Sequence, residues 1–357
     1  MISMGIELEA YSIAVPEYRI TRELHFPRRA AIERGERFTK DVTIGTEYNS
    51  KVFSTIREAF FLLKNGLRKY IYNRAECREH AYHTVFPVGG WIDRFAGCHL
   101  HLALGKERFD FNQAKELATR LHDHIPFLIA LTANSPVWRE RIEPVDSNRL
   151  LKGSQTYCQV TKRGLLYKHH YRELTFNSGG KRKPNTLELR VLDSGVPEYI
   201  AAALCVANAA ALHWLKRKRK PGGSTHQNYL KARDQAVRHG AHARLVWGNH
   251  WMSVGHYADL FFRKYREELE QMNIPDDVLS IFKYLKKGWN QAEVIRQAAL
   301  KARRRQKQAW QRVFTKKYAL AIQTLLNGNS FSDFAKTLGV RLPNIRRVWL
   351  GRREAKW

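Results

Sequence analysis

The stretch GIELEAYSIAV, residues 5–15, sets Ile6, Leu8 and Ala10 in alternation with Glu7 and Glu9. A period of two is the mark of a β-strand, and it puts both carboxylates on one face and the apolar side chains on the other. Two carboxylates side by side repel unless a cation lies between them or water surrounds them. The pair is therefore either the oxygen-ligand half of a hard divalent site or a solvent-exposed strand edge.

The same period returns twice further along. In GCHLHLALG (97–105) it gives His99 and His101 one face, and in NTLELRVLDS (185–194) it does the same for Glu188 and Arg190. Imidazoles can ligate a cation or donate to an anion, or sit half-buried in a polar sheet. A Glu beside an Arg is a plain ion pair or a metal ligand next to a phosphate clamp, for which the guanidinium fork is suited. KDVTIGTEYN (40–49) adds Asp41 and Glu47 in β-like text, and YCQVTKRGLLYKHHYRELTF (157–176) reads as a further strand region. Helical periodicity runs over Ser54–Tyr72 and Asn112–Leu131. Irregular spacing and the lack of GxGxxG and GxxxxGK[ST] argue against a dinucleotide-binding or P-loop domain. The pattern predicts an α+β fold built on an antiparallel sheet. Beyond Pro197 the chain reads helical, beginning with EYIAAALCVANAAALHWL (198–215), a helix expected to lie buried on the sheet, followed by a loop at KPGGSTHQN (220–228).

Composition bounds the class. Apolar residues make up 44% of the 357, and aromatics 11%, which excludes a disordered chain. Such a length predicts two domains, placed at 1–270 and 271–357, and fits one large domain with an appendage equally well. Four cysteines without CxxC spacing exclude a zinc ribbon and a disulfide framework, pointing to a reducing, cytoplasmic setting. No secretory leader is read at the N-terminus. The longest apolar stretch, Tyr199–Leu215, is broken by Asn208 and His213, so no membrane partner is expected.

The formal net charge is +29, and it is unevenly spread: residues 201–357 carry 31 Lys and Arg against 10 Asp and Glu. The density peaks at Lys216, Arg217 and Lys218 in KRKRK, at Arg303, Arg304 and Arg305, and near the end at Arg346 and Arg347. Such runs attract polyanions by phosphate contact and counterion release, or form a solvated basic surface. Residues 319–350 read as a helix-turn-helix-like unit. A helix through Leu326 leads to a turn at Asn327–Asn329, a second helix capped by Ser330 or Ser332, a tight Gly339–Val340 turn, and a last helix Pro343–Trp349 presenting Asn344, Arg346 and Arg347. An ordinary αα-hairpin shares these signals.

The order of GIELE, TIGTEYNS, GCHLHLALG, ALTANSPVW with SNR, and TLELRVLDS resembles the carboxylate-amine ligases of the glutamine synthetase and glutamate-cysteine ligase superfamily, including its amidoligase branch. AVRHGAHA (236–243) is similar to a later helix motif of that family. The resemblance implies a curved antiparallel sheet with flanking helices, and an ATP-dependent ligase. Glu7, Glu9, Glu47, His99 and Glu188 would ligate Mg²⁺ or Mn²⁺ ions bridging the ATP phosphates. Arg190, with Glu47 and Arg149, would act at the reacting atoms, Arg190 on the transferring γ-phosphoryl group. His101, Asn134, Ser135 and Arg149 would line the nucleotide or carboxylate pocket, with Arg238 a further phosphate contact. A small carboxylate would attack the γ-phosphate and an amine would capture the acyl phosphate. Phosphoryl transfer of this kind needs alignment and charge neutralisation more than a protein nucleophile. The text after Pro136, RERIEPVDSNR, and the basic GGKRK at 179–183 depart from the family's pattern, which bears on the acceptor. Joined to the C-terminal charge, the resemblance extends the expected partners to a nucleic acid, DNA or tRNA, and an oligomer is compatible with it. The alternatives are a nucleic-acid-binding protein on a non-catalytic ligase-like scaffold, and a metal-dependent nuclease.

Overall fold

A computed structural model describes residues 2–22, 26–41, 44–72, 82–105, 109–168, 171–180, 184–216 and 223–345. Its centre is an antiparallel sheet built around β1 (Ile2–Val15), a strand of 14 residues. Around it lie β2 (Arg19–Thr21), β3 (Arg37–Asp41), β4 (Gly45–Asn49), β5 (Tyr82–Phe86) and β6 (Gly97–Leu104). Two short strands, β7 (Val137–Trp138) and β8 (Arg141–Ile142), form a separate hairpin, and β9 (Leu174–Asn177) and β10 (Thr186–Asp193) complete the large sheet. Its order is β3-β4-β1-β6-β10-β9, and β2 and β5 pair with the later half of β1. The fold is α+β, with helices flanking a large antiparallel sheet and a helical C-terminal region.

The helices are α1 (Ile56–Tyr72), α2 (Phe111–His122), α3 (Ile125–Thr132), α4 (Asn148–Lys152), α5 (Ser154–Tyr157), α6 (Pro197–Lys216) and α7 (His226–His239). After them come a hairpin of β11 (Arg244–Trp247) and β12 (His250–Ser253), then α8 (Val254–Lys264), α9 (Arg266–Gln271), α10 (Asp276–Lys286), α11 (Gln291–Arg305), α12 (Trp310–Leu326) and α13 (Phe331–Thr337).

The period of two in the sequence becomes the two faces of the sheet. Ile6 and Leu8 of β1, Leu100 and Leu102 of β6, and Leu187 and Leu189 of β10 are all buried in the hydrophobic core. Each such side chain contributes about 1.5–3 kcal/mol of burial. The intervening Glu7, His99, His101 and Glu188 are thereby forced to the opposite face. Helix α6 runs through the core against α1, α2, α3 and α10, with 83% of its apolar window buried inside the protein. That placement accounts for its apolar length.

Three local differences from the sequence pattern have physical causes. The expected Asn112–Leu131 helix is two, α2 and α3, because Pro126 has no N–H to continue the ladder and starts a new first turn instead. Only Leu174–Asn177 of the expected 157–176 strand region is a strand. There the Thr161 N–H donates to the Glu173 carboxylate at 2.9 Å rather than to a neighbouring strand, and Gly164 turns the chain at φ 82°. The β11–β12 hairpin interrupts the helical second half at Gly248, φ 61°.

The C-terminal helices share the core. Trp91 stacks on Phe314 of α12 at 4.8 Å, and Phe86 of β5 meets Tyr318 edge-on at 4.5 Å. Helix α12 ends at Leu326, and α13 starts at Ser330, whose capping box with Asp333 fixes the start. Ala335 is buried where the two pack, and Gly339 turns at φ 81°. Residues 341–345 are irregular rather than helical, and the rest of the expected last helix, with Arg346 and Arg347, lies outside the described residues.

One core charge gives a stability test. Glu198 of α6 is wholly buried with Lys64 Nζ at 2.9 Å from Oε1, and burial pushes its carboxyl up to about 7 against the pull of Lys64. A carboxyl raised in the folded state stabilises fully below its unfolded pKa of about 4.5, and that contribution is lost as pH rises through 7. Wild type is expected to lose on the order of 3 kcal/mol from this group between pH 4.5 and 8. Glu198→Gln flattens that part of the profile. Denaturant titrations across this range check it, and an unchanged slope in the variant refutes it.

Candidate active site

The site is assembled by strand register. Glu7 of β1 stands opposite His99 of β6, His101 stands opposite Glu188 of β10, and Glu9 stands opposite Glu47 of β4. Side chains from four strands therefore meet on one face although their sequence positions span 7 to 190.

At the centre, His99 Nδ1 is 3.3 Å from Glu7 Oε2 and 3.4 Å from Glu188 Oε1, and His101 Nε2 is 3.4 Å from Glu7 Oε1. Arg190 Nη1 donates to Glu188 Oε1 at 2.5 Å, and Asn177 Nδ2 donates to its Oε2 at 2.7 Å. Burial works against the charge of both acids, yet His101 and His99 hold Glu7 well below the usual carboxylate range, and Arg190 with the two histidines lowers Glu188. Burial and then Arg190 lower the pKa of His99, against the opposing pull of Glu7 and Glu188. Against the opposing effect of burial, Glu7 and Glu188 raise the pKa of His101.

A second group lies beside the first: one carboxylate oxygen each from Glu9, Asp41 and Glu47, all within 4.8 Å of one another, as are the ligand atoms of Glu7, His99 and Glu188. Glu9 Oε2 accepts from the Gly97 N–H at 2.6 Å, and Glu47 Oε1 accepts from Thr39 Oγ1 at 2.8 Å and Asn49 Nδ2 at 2.6 Å. Burial and the charge of Asp41 push Glu9 up to about 8, and burial raises Glu47 as well. Three acids placed so close in a half-buried setting fit a hard divalent cation. The oxygen-only set matches Mg²⁺ or Mn²⁺, and the Glu-His-Glu set suits the same ions through a mixed oxygen and nitrogen shell.

The five expected ligands, Glu7, Glu9, Glu47, His99 and Glu188, thus fall into two adjoining groups, with Arg190 and His101 against the first. Asp41 joins the second, and the sequence offered no signal for it beyond an acid in β-like text. Its place depends on the β3–β4 pairing, which puts Asp41 opposite Gly45 and Glu47 opposite Thr39.

Asn134 and Ser135 lie away from the two acidic groups, and Arg149 lies behind Gly97, whose N–H holds Glu9. All three are buried: the Asn134 N–H donates to Asp193 Oδ2 at 2.9 Å and Ser135 Oγ to the same oxygen at 2.7 Å, Ser147 Oγ donates to Asp193 Oδ1 at 3.0 Å, and Arg149 Nη2 donates to the Arg190 carbonyl at 3.0 Å. Arg238 is exposed on α7, where its Nε donates to Asp234 at 2.9 Å. Lys216 is exposed at the end of α6 and donates to Gln271 at 3.2 Å, while Arg217 and Lys218 lie outside the described residues. Arg303, Arg304 and Arg305 are exposed in the last turn of α11, where cations complement the helix C-terminus. Asn344 is exposed, and its carbonyl accepts from Lys287 Nζ at 2.9 Å.

Gly97 joins the two parts of the site. A Cβ there would stand 2.8 Å from Arg149 Cζ, so no side chain fits between Arg149 and the backbone that holds Glu9. Gly97→Ala is expected to cost about 1–3 kcal/mol as overpacking and to lower turnover by tens of fold through displacement of Glu9. Thermal melts and phosphate release read the two effects, and wild-type values in both sink the expectation.

No family profile matches the chain, and no curated protein does. Solved structures do. A chain from the complex between the prokaryotic ubiquitin-like protein Pup and its ligase PafA matches with TM-score 0.58 at 13% identity, over 95% of this chain and 80% of that one. PafA bound to ADP matches with TM-score 0.56 at 13% identity, over 87% and 76%. The likeness to these two structures is one of fold, a large antiparallel sheet with flanking helices. The bifunctional glutathione synthetase of Pasteurella multocida matches with TM-score 0.55 at 12% identity over 94% of this chain, which spans only 55% of that enzyme.

Proposed function

We propose that the chain is an ATP- and divalent-metal-dependent carboxylate-amine ligase that forms an amide. The observation that carries this reading is the convergence of Glu7, His99 and Glu188 with Arg190, next to Glu9, Asp41 and Glu47, on one face of a ligase fold. Divalent ions on these residues would supply charge neutralisation for the ATP phosphates. Glu7, His99 and Glu188 would hold one ion, and Glu9, Asp41 and Glu47 another. Arg190, whose Nε is buried without a hydrogen-bond partner among the described residues, would meet the γ-phosphoryl group as negative charge moves. A substrate carboxylate attacks that group and releases ADP. An amine then attacks the acyl phosphate, forming the amide bond and releasing phosphate. The neighbours include a ligase whose partner is a protein, Pup, so a carboxylate or amine carried by a macromolecule is within the proposal.

A second element of the reading is a polyanion partner, DNA or tRNA, served by the accessory region 271–357. It is favoured by one local feature. Lys301 Nζ donates to Gly339 O at 3.0 Å, while burial, Arg305 and Lys301 together lower the pKa of Lys317, so three cations crowd beside the exposed Arg303 and Arg304. Phosphates would relieve that repulsion. Free, buried Cys98, Cys158 and Cys205 support the reducing, cytoplasmic setting.

Phosphate release from ATP with Mg²⁺ or Mn²⁺, supplied with an amino-acid mixture and with or without tRNA and DNA, tests both elements. Release that needs metal, amino acids and nucleic acid supports both. Release with amino acids alone supports the ligase and removes the nucleic acid. No release under any condition overturns the ligase.

A further inference from the structure

Strand β10 is irregular where it carries Arg190. Leu189 pairs with Leu100 and Leu192 with Cys98, so Arg190 and Val191 together stand opposite the single residue His99. Two residues against one is a β-bulge, a device that re-aims a side chain at the cost of ladder hydrogen bonds. The freed backbone groups must find other partners. The Arg190 N–H faces the other neighbour and continues the β9 register, donating to Glu173 O at 3.0 Å, while the Arg190 carbonyl accepts from a side chain, Arg149 Nη2, at 3.0 Å.

Arg149 is itself fixed from several sides. It is 2% exposed, its own N–H donates to Ser135 Oγ at 3.0 Å, its Nη1 is 4.0 Å from Asp193 Oδ1, and its guanidinium lies against Gly97. Asp193 is held in turn by Asn134, Ser135 and Ser147. A buried side chain from α4 thus supplies the donor to a carbonyl inside the bulge, two covalent steps from the side chain that touches Glu188 and His99.

The geometry points to Arg149 as a positioning residue: seated on Asp193, it locks the β10 bulge and so fixes Arg190 against Glu188. It acts through Arg190 and not on the reacting atoms. The planar fork of Arg bonds the carbonyl through Nη2 while Nη1 stands 4.0 Å from Asp193 Oδ1 as its ion-pair partner, a span that the single ammonium of Lys does not cover. The kinetic consequence rests on the ligase reading above, whereas the structural consequence does not.

The experiment uses the full chain as Arg149→Lys, Arg190→Lys and the double variant, with Asp193→Asn as a second way to release Arg149. Hydrogen exchange is followed in peptides covering 186–193 and 2–15, beside phosphate release. In Arg149→Lys the 186–193 peptide is expected to exchange about tenfold faster with 2–15 unchanged, while kcat falls about 10- to 100-fold and KM for ATP stays within about twofold. The double variant is expected to match Arg190→Lys within about threefold, because residues acting through one another are not additive. Wild-type exchange at 186–193, or additive kinetic losses, overturns the proposal. If Arg149→Lys loosens both peptides, Asp193→Asn decides: faster exchange confined to 186–193 supports the lock, and any other pattern refutes it. If wild type releases no phosphate the ligase reading falls, and the exchange measurements still decide the role of Arg149.

Discussion

Glu188→Gln is expected to lower metal- and ATP-dependent phosphate release by about 10³-fold while the protein keeps its fold. Glu188 is 2% exposed and yet charged, because Arg190 and two histidines overcome the cost of burying it. Gln fills the same volume and can still meet Asn177, which now donates to Glu188 Oε2 at 2.7 Å. What it removes is the negative charge from a group of three ligands. Losing one anionic ligand of a catalytic cation sacrifices several kcal/mol of transition-state charge stabilisation, and about 4 kcal/mol is a factor of 10³. The apo protein should also lose stability, because the amide leaves the Arg190 guanidinium without its buried counter-charge. Turnover measured with Mn²⁺, beside Mn²⁺ titration by electron paramagnetic resonance, separates lost ion binding from lost chemistry. Turnover within about threefold of wild type would remove Glu188 from the machinery and with it the proposed ion site.

How much of this was legible from residues alone follows from what each signal depends on. The alternation in β1, β6 and β10 is local, so the face shared by Glu7 with Glu9, His99 with His101, and Glu188 with Arg190 could be read directly. Their convergence could not: it depends on register between strands some 90 residues apart, and only the ordered resemblance pointed to it. Asp41 was missed because its role is created by the β3–β4 pairing and no pattern in its own neighbourhood marks it. Asp193 was visible as the last residue of a strand, but its function as the acceptor for Asn134, Ser135 and Ser147 is purely tertiary. The same holds for Arg149. A sequence reader sees a cation near a motif and expects it at the substrate, whereas the fold turns it inward to a backbone carbonyl. Helices fared by the same rule. The cap of α13 at Ser330 was readable because capping is local, and the break between α2 and α3 turned on one proline inside an otherwise continuous apolar pattern.

Arg190→Met is expected to reduce kcat by about 10²- to 10³-fold with KM for ATP within a few-fold of wild type, the pattern of a group whose interaction strengthens only in the transition state. Arg190 already spends Nη1 on Glu188, so its ground-state attraction for ATP is partly satisfied. Its buried Nε has no hydrogen-bond partner among the described residues and is the donor left to answer charge as it develops. Met retains the apolar stem and removes only the fork, which separates packing from chemistry. Reversing the charge of Arg303, Arg304 and Arg305 on α11 should do the opposite, leaving kcat near wild type and weakening nucleic-acid binding with a shallower salt dependence. Under the proposed function, the two variants would divide the molecule's excess positive charge into a part that serves the reaction and a part that serves a polyanion. An Arg190→Met protein with intact kcat and a raised KM would make Arg190 a ground-state binder of ATP, and the acyl-phosphate step would then have to draw its charge stabilisation from the two acidic groups alone.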